Sequence, residues 1–143
     1  MFDRILGLPM HPLVVHGIVV LLPLMACVTI LMAIRPKLRD RWGWWIVGAN
    51  VAVLGLSVVV KESGEALLHR MAGLQIDDHE KLGSVLPLTA LVLTGASVLV
   101  VLTTRYPRYR LAATVVTVLA AGLAIVWTVL TGHSGAQAVW GSQ

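Results

Sequence analysis

The sequence predicts an all-α membrane protein, a single domain over residues 1–143 in which four transmembrane helices run up and down as a bundle. Three features carry that prediction. The residues are 57% hydrophobic and only 13% charged, with a mean hydropathy of +0.85, whereas a soluble domain carries roughly 25% charged residues. Four apolar stretches are long enough to span, about Val14–Ile34, Trp44–Val60, Leu82–Thr104 and Leu111–Thr131; a crossing needs about 20 residues. None of the four shows the period-2 alternation of barrel strands, and in lipid only helices or closed barrels satisfy the backbone.

Flanking residues extend the four helices to about 12–34, 43–70, 80–104 and 110–133. The first resembles a signal peptide, and Leu24-Met-Ala-Cys27 resembles a lipoprotein cleavage box. Processing is not expected, because the apolar run continues past Cys27 and the segment before it has Asp3 and Arg4 instead of a basic cluster. The second apolar run is short. Lys61-Glu-Ser-Gly-Glu-Ala-Leu-Leu-His-Arg70 reads as its polar continuation beyond the bilayer. Pro23 and Pro87 fall inside the first and third helices, where proline removes a backbone donor. Gly48, Ala52 and Gly55 on the second helix, and Ala113, Ala120, Ala121 and Ala124 on the fourth, are small residues of the kind that let membrane helices pack closely.

The charges set an orientation. Arg35, Lys37, Arg39, Arg41, Arg105, Arg108 and Arg110 lie between the first and second or the third and fourth helices. The opposite side has Arg4, Lys61, Arg70 and Lys81. The positive-inside rule puts the first set in the cytoplasm and both termini outside, as expected for a multi-pass protein of the bacterial inner membrane. Six of the seven acidic residues, Asp3, Glu62, Glu65, Asp77, Asp78 and Glu80, then face outward. The pI near 9.8 therefore reports topology and implies no nucleic-acid partner. Trp42, Trp44, Trp45, Tyr106 and Tyr109 mark the inner boundary and Trp140 the outer one, as interfacial anchors do.

A weak repeat relates the two halves. Leu22-Pro-Leu24 matches Leu86-Pro-Leu88, and Glu62-Ser-Gly-Glu-Ala-Leu67 matches His133-Ser-Gly-Ala-Gln-Ala138. His16 and His79 precede the two prolines by similar distances. The pattern suggests two related hairpins, pairing His16 with His79 and Glu62 with His133.

All five histidines, His11, His16, His69, His79 and His133, fall on the outer side. At about 20 residues per crossing and 1.5 Å per residue, they lie within roughly 10 Å of one plane. Such convergence points to a metal or a haem. Plainer roles are open to each residue. His11 precedes Pro12 and suits a helix start. Glu65 and His69 could form an i,i+4 surface pair. His79 sits in the acidic helix start Asp77-Asp-His-Glu80, and His133 could end a helix near its negative pole. His16 resists such a reading most, since it interrupts an otherwise apolar run, where ionisable groups are functional by default. Glu62, Glu65 and His69 share one helical face.

The stretches Gly7-Leu-Pro-Met-His-Pro-Leu-Val-Val-His16, His79 with Leu82-Gly83, and Thr131-Gly-His-Ser-Gly-Ala136 resemble the bacterial membrane family catalogued as domain of unknown function 2231. The resemblance covers nearly the whole chain and implies a compact four-helix membrane module. Relatives appear fused to Rieske-type or cytochrome c-type domains, and the family resembles small membrane b-type cytochromes, which implies electron transfer. Relatives often have an aspartate near the exit of the second helix, where this chain has Glu62 or Glu65.

Three functions follow as expectations. The first is a haem b electron carrier, with His16 and His79 or His69 and His133 as axial ligands. Arg4, Lys61, Arg70 and Lys81 would be available to the propionates, and quinol and an extracytoplasmic redox protein would be its partners. The second is a transition-metal site for zinc, iron or copper, built from His16, His79 and His133 with Glu62, and with Glu65 and His69 in reserve. The third is a non-catalytic subunit of a homo-oligomer or larger membrane complex, in contact with membrane lipid. The sequence contains no phosphate-binding glycine loop with its lysine, no nucleophile elbow and no HExxH, so hydrolytic or nucleotide-driven activity is not expected. Cys27 is the sole cysteine, which excludes an internal disulfide and a Cys-rich metal site.

Overall fold

Long apolar runs have one way to satisfy their backbone in lipid, and the chain folds accordingly. The computed structural model describes residues 4–5, 8–70 and 77–140, with side chains described for 14–67 and 80–137. Four helices dominate: α1 (Met10–Ile34), α2 (Pro36–Arg70), α3 (Asp77–Leu102) and α4 (Arg110–Trp140). They contain 25, 35, 26 and 31 residues. All exceed the 20 or so residues that cross a hydrocarbon core of about 30 Å, so α2 and α4 project beyond it. Ahead of α1, strands β1 (Arg4–Ile5) and β2 (Leu8–Pro9) form a two-residue antiparallel pair, which the sequence did not predict.

The helix bounds differ from those expected, each for a physical reason. Helix α2 starts at Pro36 instead of residue 43, because Arg35 alone turns the chain. Proline suits the first helical turn, and the residue before it is pushed out of the helical region. The Leu38 and Arg39 amides donate to the Arg35 carbonyl at 3.0 and 3.1 Å, which starts the new helix at once. Helix α3 begins at Asp77, where acidic side chains favour a helix start. Helix α4 runs to Trp140, through Gly132 and Gly135; a glycine in a helix costs only about 1 kcal/mol. Between α3 and α4, amides 103 to 106 bond back to carbonyls 99 to 102, and a 3₁₀ turn at Pro107–Tyr109 leads into α4.

The helices pack as a ring. Helices α1 and α3 each lie against both α2 and α4, while α1 and α3 meet only lightly across the diagonal. Two apolar layers fill the interior. Ile18, Leu22, Val60, Leu86 and Ala124 belong to the layer nearer the chain termini. Met32, Val47, Val100 and Ala113 belong to the layer nearer the basic connections. Between them lies a polar layer with one residue from each helix, Thr29, Asn50, Ser97 and Thr117, all at most 2% exposed.

Each neighbouring pair of helices is tied by a hydrogen bond. The Asn50 amide donates to Thr29 Oγ1 at 3.0 Å (α2 to α1), and Arg39 Nη1 donates to Thr103 Oγ1 at 3.1 Å (α2 to the residue just past the end of α3). Trp127 Nε1 donates to the Leu82 carbonyl at 3.0 Å (α4 to α3), and the Thr114 hydroxyl reaches the Ala33 carbonyl at 3.4 Å (α4 to α1). Interhelical bonds of this kind average about 0.6 kcal/mol in membrane proteins. They fix register more than they add stability.

Small residues divide between two roles. Ala113, Ala120, Ala121 and Ala124 are buried and let α4 close on its neighbours. Gly48, Ala52 and Gly55 instead face outward, with open space where a Cβ would stand at both glycines. On α2 the small stripe therefore serves no contact inside the bundle.

Candidate functional site

An antiparallel ring fixes which residues share an end. His11 and His16 lie near the start of α1, His69 at the end of α2, His79 at the start of α3 and His133 in the last turns of α4. All five thus belong to the end of the bundle where the chain starts and finishes, as the residue counting predicted. The side chains of His11, His69 and His79 lie outside the described residues.

His16 is exposed on the bundle exterior, not directed into the core, and it engages a neighbouring group. His133 is also exposed. It lies within α4 and does not cap it, because the helix continues past both flanking glycines. Glu62 is exposed and Glu65 half-buried. The Glu65 carboxylate pairs with Lys61 Nζ at 3.2 Å, one turn back along α2. Lys61 was a candidate partner for an anionic cofactor and is already matched here. The pair is open to solvent and contributes little to stability.

Beneath this end the bundle is closed. Ile18 and Leu22 have no exposed surface, and Leu86 and Ala124 complete the layer. The Trp127 indole seals the α3–α4 side through its bond to the Leu82 carbonyl. Among the described residues, no three of His, Cys, Asp and Glu come close enough together to hold a metal ion. His16, His133, Glu62 and Glu65 are among those described; His69 and His79, the other members of the expected set, are not.

Two polar features of the bundle were not singled out from the sequence. Arg39 belongs to a cluster of charges that reads as a loop, yet it is 8% exposed and lies between α2 and α3. Asn50 is the sole asparagine and interrupts an apolar run, a visible signal of a buried polar group.

The fold and the charge distribution define a class, the multi-pass membrane proteins built as a four-helix bundle, with four helices long and apolar enough to cross. Within that class the chain belongs to the family described as predicted membrane protein (DUF2231), whose model matches residues 7–143. No curated protein and no solved structure matches the chain.

Proposed function

We propose that this protein is a membrane-embedded electron carrier that holds a haem b at the histidine-bearing end of its bundle. The observation that carries the reading is that each of the four helices brings at least one histidine to that one end. The donor set suits the group. Neutral imidazole is an axial ligand of haem iron, and helical bundles commonly build cofactor sites from facing helices.

The filled layer of Ile18, Leu22, Leu86 and Ala124 favours the end of the bundle over its interior as the place for a porphyrin. His16 with His79 is the first axial pair to consider, and His69 with His133 the second; in either pair the exposed imidazole, His16 or His133, has to turn from its outward position toward the end of the bundle. Arg4, Arg70 and Lys81 are the cations left for the propionates. When bound, the haem supplies one-electron transfer, here between quinol and an extracytoplasmic acceptor.

The test is an absorption spectrum of the purified protein before and after dithionite, from cells supplied with haem precursor, with metal analysis on the same sample. The expected result is a Soret band that shifts on reduction, at about one haem per chain, and that is lost in the double variant His16→Ala, His79→Ala. A colourless sample with stoichiometric zinc, iron or copper would replace the haem by the His and Glu metal site.

A second reading has its own observation. The outward stripe of Gly48, Ala52 and Gly55 leaves one face of α2 smooth enough for another transmembrane helix. This favours a subunit of a larger assembly. A colourless, metal-free protein that runs as an oligomer or co-purifies with a membrane complex is the outcome that reading expects.

A further inference from the structure

The opposite end of the molecule has a cleft with no part in the histidine reading. It measures about 420 Å³ and is lined by α2 and the end of α3, chiefly Arg39, Asp40, Arg41, Trp44, Trp45 and Thr104. Arg39 forms its inner wall. A charge that is only 8% exposed must be matched, and Arg39 is matched in part. Its Nε meets Asp40 Oδ1 at 3.0 Å and its Nη1 meets Thr103 Oγ1 at 3.1 Å. A guanidinium has five N–H groups. Among the described residues, the only buried side-chain polar atom without a partner is Asn50 Oδ1, so Arg39 Nη2, which no side chain or backbone group engages, is not sealed in. Arg39 itself lines the cleft.

The charge there is unbalanced. Asp40 is the only acidic residue at this end, and it is matched by Arg39. Arg41 then leaves the cleft with a net positive charge, and Arg35, Lys37, Arg105, Arg108 and Arg110 lie at the same end of the bundle with no further carboxylate. Trp44 and Trp45 stand beside the opening, 62% and 74% exposed. Indoles at a membrane–water boundary sit at headgroup depth.

We propose that this cleft binds the phosphodiester head group of an anionic phospholipid. Arg39 and Arg41 donate to the phosphate oxygens, and Trp44 and Trp45 flank the upper acyl chains. Arginine is the side chain best shaped to grip phosphate, and basic pockets between transmembrane helices are known to hold lipid head groups. Free phosphate shares the anionic chemistry but would make no use of the two exposed indoles.

The experiment is native mass spectrometry of the whole protein released from phosphatidylcholine nanodiscs titrated with phosphatidylglycerol, phosphatidylethanolamine or inorganic phosphate. The expected result is one phosphatidylglycerol retained per chain, with an affinity about tenfold lower in Arg41→Gln, as the loss of a charge-assisted hydrogen bond implies. Arg108→Gln, at the same end but outside the cleft, should bind like the unsubstituted protein. Arg39→Gln should bind worst; if it does not fold, exposed Arg41 still decides the matter. Equal losses in Arg41→Gln and Arg108→Gln would reduce the effect to diffuse charge and overturn the proposal. So would equal retention of phosphatidylethanolamine, or displacement of the lipid by millimolar phosphate.

Discussion

Asn50 presents a local imbalance that a single substitution can probe. Its amide nitrogen donates to Thr29 Oγ1, which in turn donates to the Met25 carbonyl at 2.6 Å, yet its Oδ1 is buried without a partner. A buried polar group costs most when only one of its partners is removed. Thr29→Val keeps the shape and strands the whole Asn50 amide, so it should destabilise the protein by about 1–3 kcal/mol. Asn50→Leu removes both ends of the amide at similar volume and should be neutral or stabilising. Thermal unfolding in detergent micelles distinguishes the two variants. If Asn50→Leu proves as damaging as Thr29→Val, Oδ1 has a partner of its own, and an ordered water bridging the polar layer is the natural one.

Helix α2 shows how one element can be clear in its middle and misleading at its ends. The apolar run after Trp44 announces a helix by length alone. The eight residues before Gly43, Arg35 to Trp42, are rich in charge and read as a connection, though the structure makes all but Arg35 helical. Arg39 then turns inward toward Thr103, a choice set by the approach of α3 and not by any local pattern. The histidine end was legible because alternating helix direction follows from counting crossings. The burial of Arg39 was not, because it depends on which helices become neighbours.

That close approach rests on Gly43. A Cβ there would lie 2.8 Å from Val101 Cγ2, and a β-branched side chain in a helix has almost no other rotamer to adopt. Gly43→Ala should therefore destabilise by about 1–3 kcal/mol through overpacking. Gly48→Ala, one turn further along, meets open space. It should be neutral or gain up to about 1 kcal/mol of helix propensity. Thermal stability of both variants, with oligomer size measured alongside, separates the cases. A Gly48→Ala protein that is stable but loses an oligomer would show that the outward stripe is an interface, whereas equal stability losses at both positions would contradict the inward placing of Gly43 and the outward placing of Gly48.

For the molecule as a whole, orientation decides whether the two ends can do what is proposed for them. Seven of the 11 basic residues gather at the cleft end, and six of the seven acidic residues at the histidine end. Basic residues in short connections resist translocation, so the cleft end should lie in the cytoplasm and the histidines outside. The proposed electron acceptor is extracytoplasmic, so this polarity is a requirement of the haem reading and not a detail of it. Cys27 is exposed on the bundle exterior and must first be replaced by serine. In that background Glu80→Cys and Tyr106→Cys place one thiol at each end, both at exposed positions. A membrane-impermeant maleimide added to intact cells should label Glu80→Cys, and should reach Tyr106→Cys only after lysis. The reverse pattern would put every histidine in the cytoplasm. It would rule out transfer to an outer acceptor even if a haem were present, and it would move the lipid cleft to the outer leaflet.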